Sequence, residues 1–204
     1  MNAQIEQMQQ ALRKYRSQAK ATFERIEKVY ATYKPEEARR EESRLMGELH
    51  STRMICENEI YRAHKAATDA VKQWSTLDGN QVTSDNTLLM TGMVGPEEFN
   101  KMVTKYKDNY TMLHALRNYA ERMNKKIEAE NRKKGEYLTA GPYRTKHIPD
   151  PKSRLENWDK YSRSARDMLD QIDGHGKYAT PYMRAMANQT IDHQIDEMSQ
   201  WATL

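Results

Sequence analysis

Residues 5–33, IEQMQQALRKYRSQAKATFERIEKVYATY, decide the fold class. Ile5, Met8, Leu12, Tyr15, Ala19, Thr22, Ile26, Val29 and Tyr33 recur at alternating steps of three and four, with Lys, Arg, Glu and Gln between them. That spacing holds for about four heptads and draws a narrow apolar stripe along a helix, the kind that packs at a shallow angle on another helix. Pro35 ends it, because the residue before a proline is pushed out of the helical region.

Working outward, Pro35, Glu36 and Glu37 open a second helix, with proline preset for the first turn and acids at the positive end of the dipole. Its stripe is Leu45, Leu49, Thr52, Cys56, Ile60, Ala63, Ala67, Ala70, Trp74 and Leu77. Two steps of four meet at Cys56, a stutter that locally unwinds a supercoil. The small residues Ala63, Ala66, Ala67 and Ala70 let a neighbouring backbone approach. Residues 78–95 break the pattern with turn formers, around an apolar patch of Leu88, Leu89, Met90, Met93 and Val94. Within it Asp85 can cap one helical turn ending at Gly92.

Pro96, Glu97 and Glu98 open a third helix, with Phe99, Met102, Val103, Tyr106, Tyr110, Leu113, Leu116, Ala120, Met123 and Ile127 as its stripe. It ends on Arg132, Lys133 and Lys134 before Gly135. Residues 135–152 hold Gly141, Pro142, Pro149 and Pro151, show no period, and read as a linker. Asp150-Pro151, or Ser153 with Glu156 as a capping box, starts a fourth helix that carries Leu155, Trp158, Tyr161, Ala165, Met168, Leu169 and Ile172 and stops at Gly174. Thr180-Pro181 starts a fifth, with Met183, Met186, Ala187, Ile191, Ile195, Met198 and Trp201. At about 1.5 Å per residue the first three helices would be roughly 45, 60 and 55 Å long.

Composition agrees. Leu, Ile, Val and Phe supply only 28 of 204 residues, too few for a thick α/β or β-sandwich core, although 13 Met and 12 Tyr add apolar bulk. The expectation is an all-α chain: an elongated antiparallel bundle or coiled coil of three long helices plus two shorter C-terminal ones. Residues 1–134 form the long-helix domain, 135–152 the linker and 153–204 the C-terminal pair. Whether helices one and two fold back or run on as a kinked rod stays open.

The single cysteine, Cys56, excludes a disulfide framework and a Cys-based zinc site. No apolar run approaches the roughly 18 residues of a membrane span. Met1 to Gln10 is polar and lacks the apolar region of a secretory signal, so synthesis in a reducing, intracellular compartment is expected. His50, His64, His114, His147, His175 and His193 form no helical zinc signature, although His193 and Glu197 are spaced for a surface contact. No phosphate-cradling glycine loop or nucleophile elbow appears, and Cys56 sits in a stripe as a buried thiol. Neither enzyme chemistry nor a cofactor or metal is expected.

Net charge is +4, distributed as +3 over residues 1–77, −2 over 78–95, +5 over 96–152 and −2 over 153–204. The basic excess includes Arg117, Arg122, Lys125, Lys126, Arg132, Lys133, Lys134, Arg144, Lys146 and Lys152, with Tyr137 and Tyr143 interleaved. Basic side chains among aromatics can track a phosphate backbone. A solvated helix end complementing its dipole is the alternative, and Glu121, Glu128 and Glu130 dilute the patch. A slender helical protein cannot shield every stripe alone. The expected protein interface is therefore Ile5, Met8, Leu12, Tyr15, Ile26 and Val29, with Leu88, Leu89, Met90 and Met93 as a second contact unless they pack back on the chain.

The strings KYKDNYTML (105–113) and YRSQAKA (15–21), set in long helices, resemble uncharacterised helical proteins of phages and prophages of Gram-positive bacteria. The likeness covers residues 1–130. It implies a virion, assembly or host-interaction role in the bacterial host cytoplasm and the virion. The expected function is helix-mediated association, as a phage structural or assembly component binding itself or another helical or virion protein. The alternative is a nucleic-acid binder or a phage inhibitor of a host DNA-handling complex.

Overall fold

The computed structural model describes residues 2–136, 141–178 and 181–203, with side chains described except at residues 2, 175–178, 181–188 and 201–203. Tyr137 and the side chains of His175, Met183, Met186 and Trp201 thus lie outside the described residues. Every regular element among the described residues is helical, as the stripes require. The seven α-helices are α1 (Asn2–Thr32), α2 (Pro35–Trp74), α3 (Asp85–Thr91), α4 (Pro96–Lys105), α5 (Tyr110–Lys134), α6 (Pro151–Tyr178) and α7 (Pro181–Glu197). Short 3-10 turns occupy Gly79–Gln81 and Met198–Thr203. None of the described helices is long and apolar enough to cross a membrane.

The helix expected over 96–134 is two helices. Tyr106 ends α4, and Asn109 adopts an extended backbone and accepts from the Met112 amide at 3.0 Å, making a side-chain cap that starts α5. Helix α6 does not stop at Gly174. A Cβ there would meet nothing within 4 Å, so no packing singles out glycine at this point, and the helix tolerates it in its interior.

The chain divides into two compact units, residues 1–69 with 155–204, and residues 70–154. In the first, α1 and α2 turn back on each other at Pro35, with Val29 packed against Ala38 and Leu45. Along α2 and α6 the contacts run in opposite order. Arg53 pairs with Asp170 at 2.5 Å and with Asp173, and His64 Nε2 lies 2.9 Å from Asp159. Helix α7 and the 3-10 segment after it pack on α1. Gln9 is buried there and satisfied, donating to the Ile195 carbonyl at 2.7 Å. Arg13 and Arg16 reach Asp196 and Asp192 on α7.

This arrangement widens the buried face of α1. Ile5, Met8, Leu12, Tyr15, Ala19 and Val29 are buried as expected, and Gln9, Ala11 and Phe23 join them, while Thr22 and Ile26 are half-buried and Tyr33 is exposed. A helix covered by neighbours on both flanks buries more than a two-stranded seam does. On α2, Ala63 and Ala67 are buried, whereas Ala66 and Ala70 face outward and Val71 takes the inward position.

The second unit is built on α5. Its inward face, Met112, Leu113, Leu116, Tyr119 and Ala120, collects Phe99 and Met102 of α4, Leu89 of α3, and Val94. Tyr143 and Ile148 also enter this core, so residues 141–150 are not a free linker. Asn124 brackets the Tyr143 backbone, donating to its carbonyl at 2.8 Å and accepting from its amide at 3.2 Å. Gly141 makes this possible, because a Cβ there would collide with the Asn124 side chain.

Candidate functional site

The site grows from how the second unit holds α3. Gly92, at φ +74°, closes α3 in the left-handed region that glycine occupies without strain. The chain then enters the core at Val94. One carbonyl organises this point: Val94 O accepts from Tyr119 Oη at 2.6 Å and from Tyr143 Oη at 2.9 Å. Tyr143 stands edge-on to both Phe99 and Tyr119, each 5.5 Å between ring centres. Burial, followed by the neighbouring Tyr143, pushes the Tyr119 phenol up to about 12.

Arg122 reaches from α5 across the Tyr119 ring and donates to the Leu89 carbonyl at 2.7 Å, which ties the end of α3 to α5. At the start of α3, Asp85 accepts from Lys105 and from Tyr106, each at 2.7 Å, and Tyr106 also contacts Thr83. Those two donors hold the Asp85 carboxyl below its usual range. Helix α3 is thereby fixed with one face in and one face out. Leu89 is 2% exposed, while Leu88, Met90 and Met93 are exposed at 50, 70 and 80%.

Between α3 and α5 lies an open cavity of about 400 Å³. Leu77, Val82 and Met90 form its apolar wall, and His114, Asn118 and Arg122, each four residues apart on α5, form the other. Leu77 and Val82 are themselves about half exposed. Sequence reasoning placed Leu77 in the α2 stripe and passed over Val82. Helix α2 ends at Trp74, whose ring meets Tyr110 at 4.8 Å and the Arg154 guanidinium at 4.3 Å, so Leu77 falls beyond the stripe. The turn formers Asp78 and Gly79 were the available signal.

The other expected site residues divide by burial. Ile5, Met8, Leu12 and Tyr15 are at most 2% exposed and Val29 is buried, all within this single chain, so they offer no surface to a partner. The premise that the α1 stripe needs a second molecule is corrected: α2, α6 and α7 belong to the same unit and close over it. Ile26 is half-buried on the Val29–Ala38–Leu45 cluster. Tyr15 donates to Asp173, which Arg53 also grips, and burial followed by Asp173 holds this phenol far above its ordinary range.

Two of the expected nucleic-acid contacts are engaged within the chain. Arg117 donates to Asp150 at 3.1 Å and to the Ile148 carbonyl at 3.0 Å, and Arg122 clamps α3 as described. Arg132 pairs with Glu128 at 2.6 Å on an exposed face. Lys125, Lys126, Lys133, Lys134, Arg144 and Lys146 are exposed.

For chemistry, Cys56 is buried and its thiol is pushed up to about 12 by burial, then by Glu59 and Glu57, which holds it in the unreactive protonated form. His193 lies 3.2 Å from Glu197 at the surface. Among the described residues no group of three or more His, Cys, Asp or Glu is arranged to hold a metal ion. Compared with known proteins, the chain matches no family model, no curated protein and no solved structure.

Proposed function

We propose that this chain is a non-enzymatic helical association protein, a phage structural or assembly component that grips a partner through the exposed apolar surface around α3. One observation carries the reading. Among the described residues, five of the ten exposed large hydrophobic side chains, Leu77, Val82, Leu88, Met90 and Met93, fall within 17 consecutive positions. Contiguous exposed apolar surface is a liability unless something covers it, and methionine suits adaptable contacts. The surrounding hydrogen bonds hold these side chains outward on a rigid frame, as a preformed binding face requires.

The test is capture from the native host setting with a tagged chain, run beside a Leu88→Ser/Met90→Ser/Met93→Ser variant. A partner retained by the parent chain and lost by the variant supports the reading. No difference between the two, together with a strictly monomeric mass by light scattering, overturns it. The exposed lysines on α5 favour nucleic acid as the second reading. A gel shift unchanged by Lys125→Ala, Lys126→Ala and Lys133→Ala defeats it, because phosphate contacts must respond to lost charge.

A further inference from the structure

Resting on the nucleic-acid reading, we infer that the outer face of α5, from Asn118 to the end of the helix, binds the phosphate backbone of a nucleic-acid duplex without reading its sequence. Asn118, Arg122, Lys125, Lys126, Arg132 and Lys133 are linked by steps of three, four and seven, so they share one side of α5, and all six are exposed. Ala129, also exposed, completes this side. The acids of the same stretch fall about a quarter-turn away, Glu121 and Glu128 along one edge and Glu130 along the other. The face therefore carries five cations and no carboxylate over about 22 Å of helix axis. Complementing the helix dipole accounts for Arg132, Lys133 and Lys134 in the last turn, but Lys125 and Lys126 stand more than two turns from the end, where that effect has faded.

Two features set the class of nucleic acid. The pairs Lys125–Lys126 and Arg132–Lys133 are seven residues apart, about 10 Å along the axis. The major groove of a duplex is about 12 Å wide and admits an α-helix, so α5 can lay one pair of cations on each bordering strand. Single strands are held instead by stacking their bases on exposed rings. On α5 and the segment docked on it, the tyrosines among the described residues from 118 to 152 are Tyr119 and Tyr143, both buried with their hydroxyls on the Val94 carbonyl. Tyr143, which the sequence interleaves with the basic residues, is thus withdrawn from any strand. Base reading is disfavoured as well. Arg122 and Arg132 carry the planar fork that suits guanine edges, and they are committed to the Leu89 carbonyl and to Glu128. Lys125, Lys126 and Lys133 have no ion-pair partner among the described residues and act as point charges toward phosphate. Arg144 and Lys146 belong to the segment docked against Asn124 and Arg117, on the far side of Glu121 and Glu128, and lie outside this face.

Fluorescence anisotropy of a labelled DNA duplex, and of one of its strands alone, titrated with the full chain between about 50 and 200 mM salt, tests it. The parent chain should bind the duplex more tightly than the single strand and bind a shuffled duplex equally well. Its log affinity should fall with log salt at a slope of about −3 to −4, the ion release expected for roughly four phosphates. Lys126→Ala/Lys133→Ala, checked for unchanged helicity by circular dichroism, should flatten that slope by about 1.8, nearly one per lysine. Arg144→Ala/Lys146→Ala removes the same charge away from the face and should leave the slope close to the parent's. A preference for the single strand, or an equal loss in both variants, overturns the duplex face and leaves nucleic-acid binding to be read by the gel shift. A chain that binds neither form at the lowest salt, or that binds only vesicles of anionic phospholipid, overturns both.

Discussion

Deleting the Tyr119 and Tyr143 hydroxyls tests whether the Val94 carbonyl organises the 70–154 unit. Tyr119→Phe and Tyr143→Phe each remove one donor to the same acceptor and leave the rings packed on Phe99. After either change Val94 O keeps the other donor, so each single variant should lose the net value of one hydrogen bond, about 1 kcal/mol. After both, the carbonyl of a residue 3% exposed has lost both of its tyrosine donors. That orphaned acceptor adds about 1–3 kcal/mol, giving a double variant weaker by roughly 3–5 kcal/mol. The readout is amide hydrogen exchange along α5 in rising urea, which reports opening of this unit whatever the other unit does. Coupling below about 0.5 kcal/mol, the ordinary scatter of independent sites, would refute the shared acceptor.

Further outcomes are expected elsewhere. Leu12→Ala, at a position with no exposed surface, should cost about 2–5 kcal/mol in urea unfolding, whereas Tyr33→Ala should stay within about 0.5 kcal/mol; equal effects would contradict the packing of α1. Gly141→Ala should displace Asn124 from the Tyr143 backbone and weaken exchange protection in α5 by about 1–3 kcal/mol; unchanged protection would show that the approach is not tight. Cys56 should react with a thiol reagent at mildly alkaline pH only as fast as the fold opens, and reaction at the denatured rate would refute its burial. Because Tyr119 titrates near 12 folded and at its lower ordinary value unfolded, the stability it contributes is complete below about pH 10 and drains away as pH rises through about 12. Tyr119→Phe should flatten that alkaline fall in α5 exchange, and an identical fall in the variant would refute the assignment.

The helices themselves were legible because their signals are local. Pro35 and Pro96 each stand at a helix start, and Gly92 and Gly135 at helix ends with left-handed backbone. The break between α4 and α5 was written in Asp108-Asn109, but the apolar stripe runs through it without a missed step, so period outvoted capping. What periodicity could not show is how many neighbours a stripe has. The spacing around Leu12 and Tyr15 reads the same whether the cover comes from another molecule or from Ile195 and Asp173 far along the chain. Segment 141–150 looked like a tether because Tyr143 and Ile148 have no period, and their burial depends on Asn124 and Arg117 across the unit. At the candidate site, the Leu88–Val94 patch was visible, but the division into inward Leu89 and Val94 and outward Leu88, Met90 and Met93 follows from Arg122 and the two tyrosines, which no local pattern announces.

The nesting of residues 70–154 inside the other unit's sequence imposes an order on biosynthesis. As the chain leaves the ribosome, α1 and α2 emerge long before α6, and Tyr15 meets Asp173 only 158 residues later. The inner unit is contiguous and can close first, while the α1–α2 pair waits with its apolar flank open. During that interval the open flank is where neighbouring nascent chains can trade hairpins.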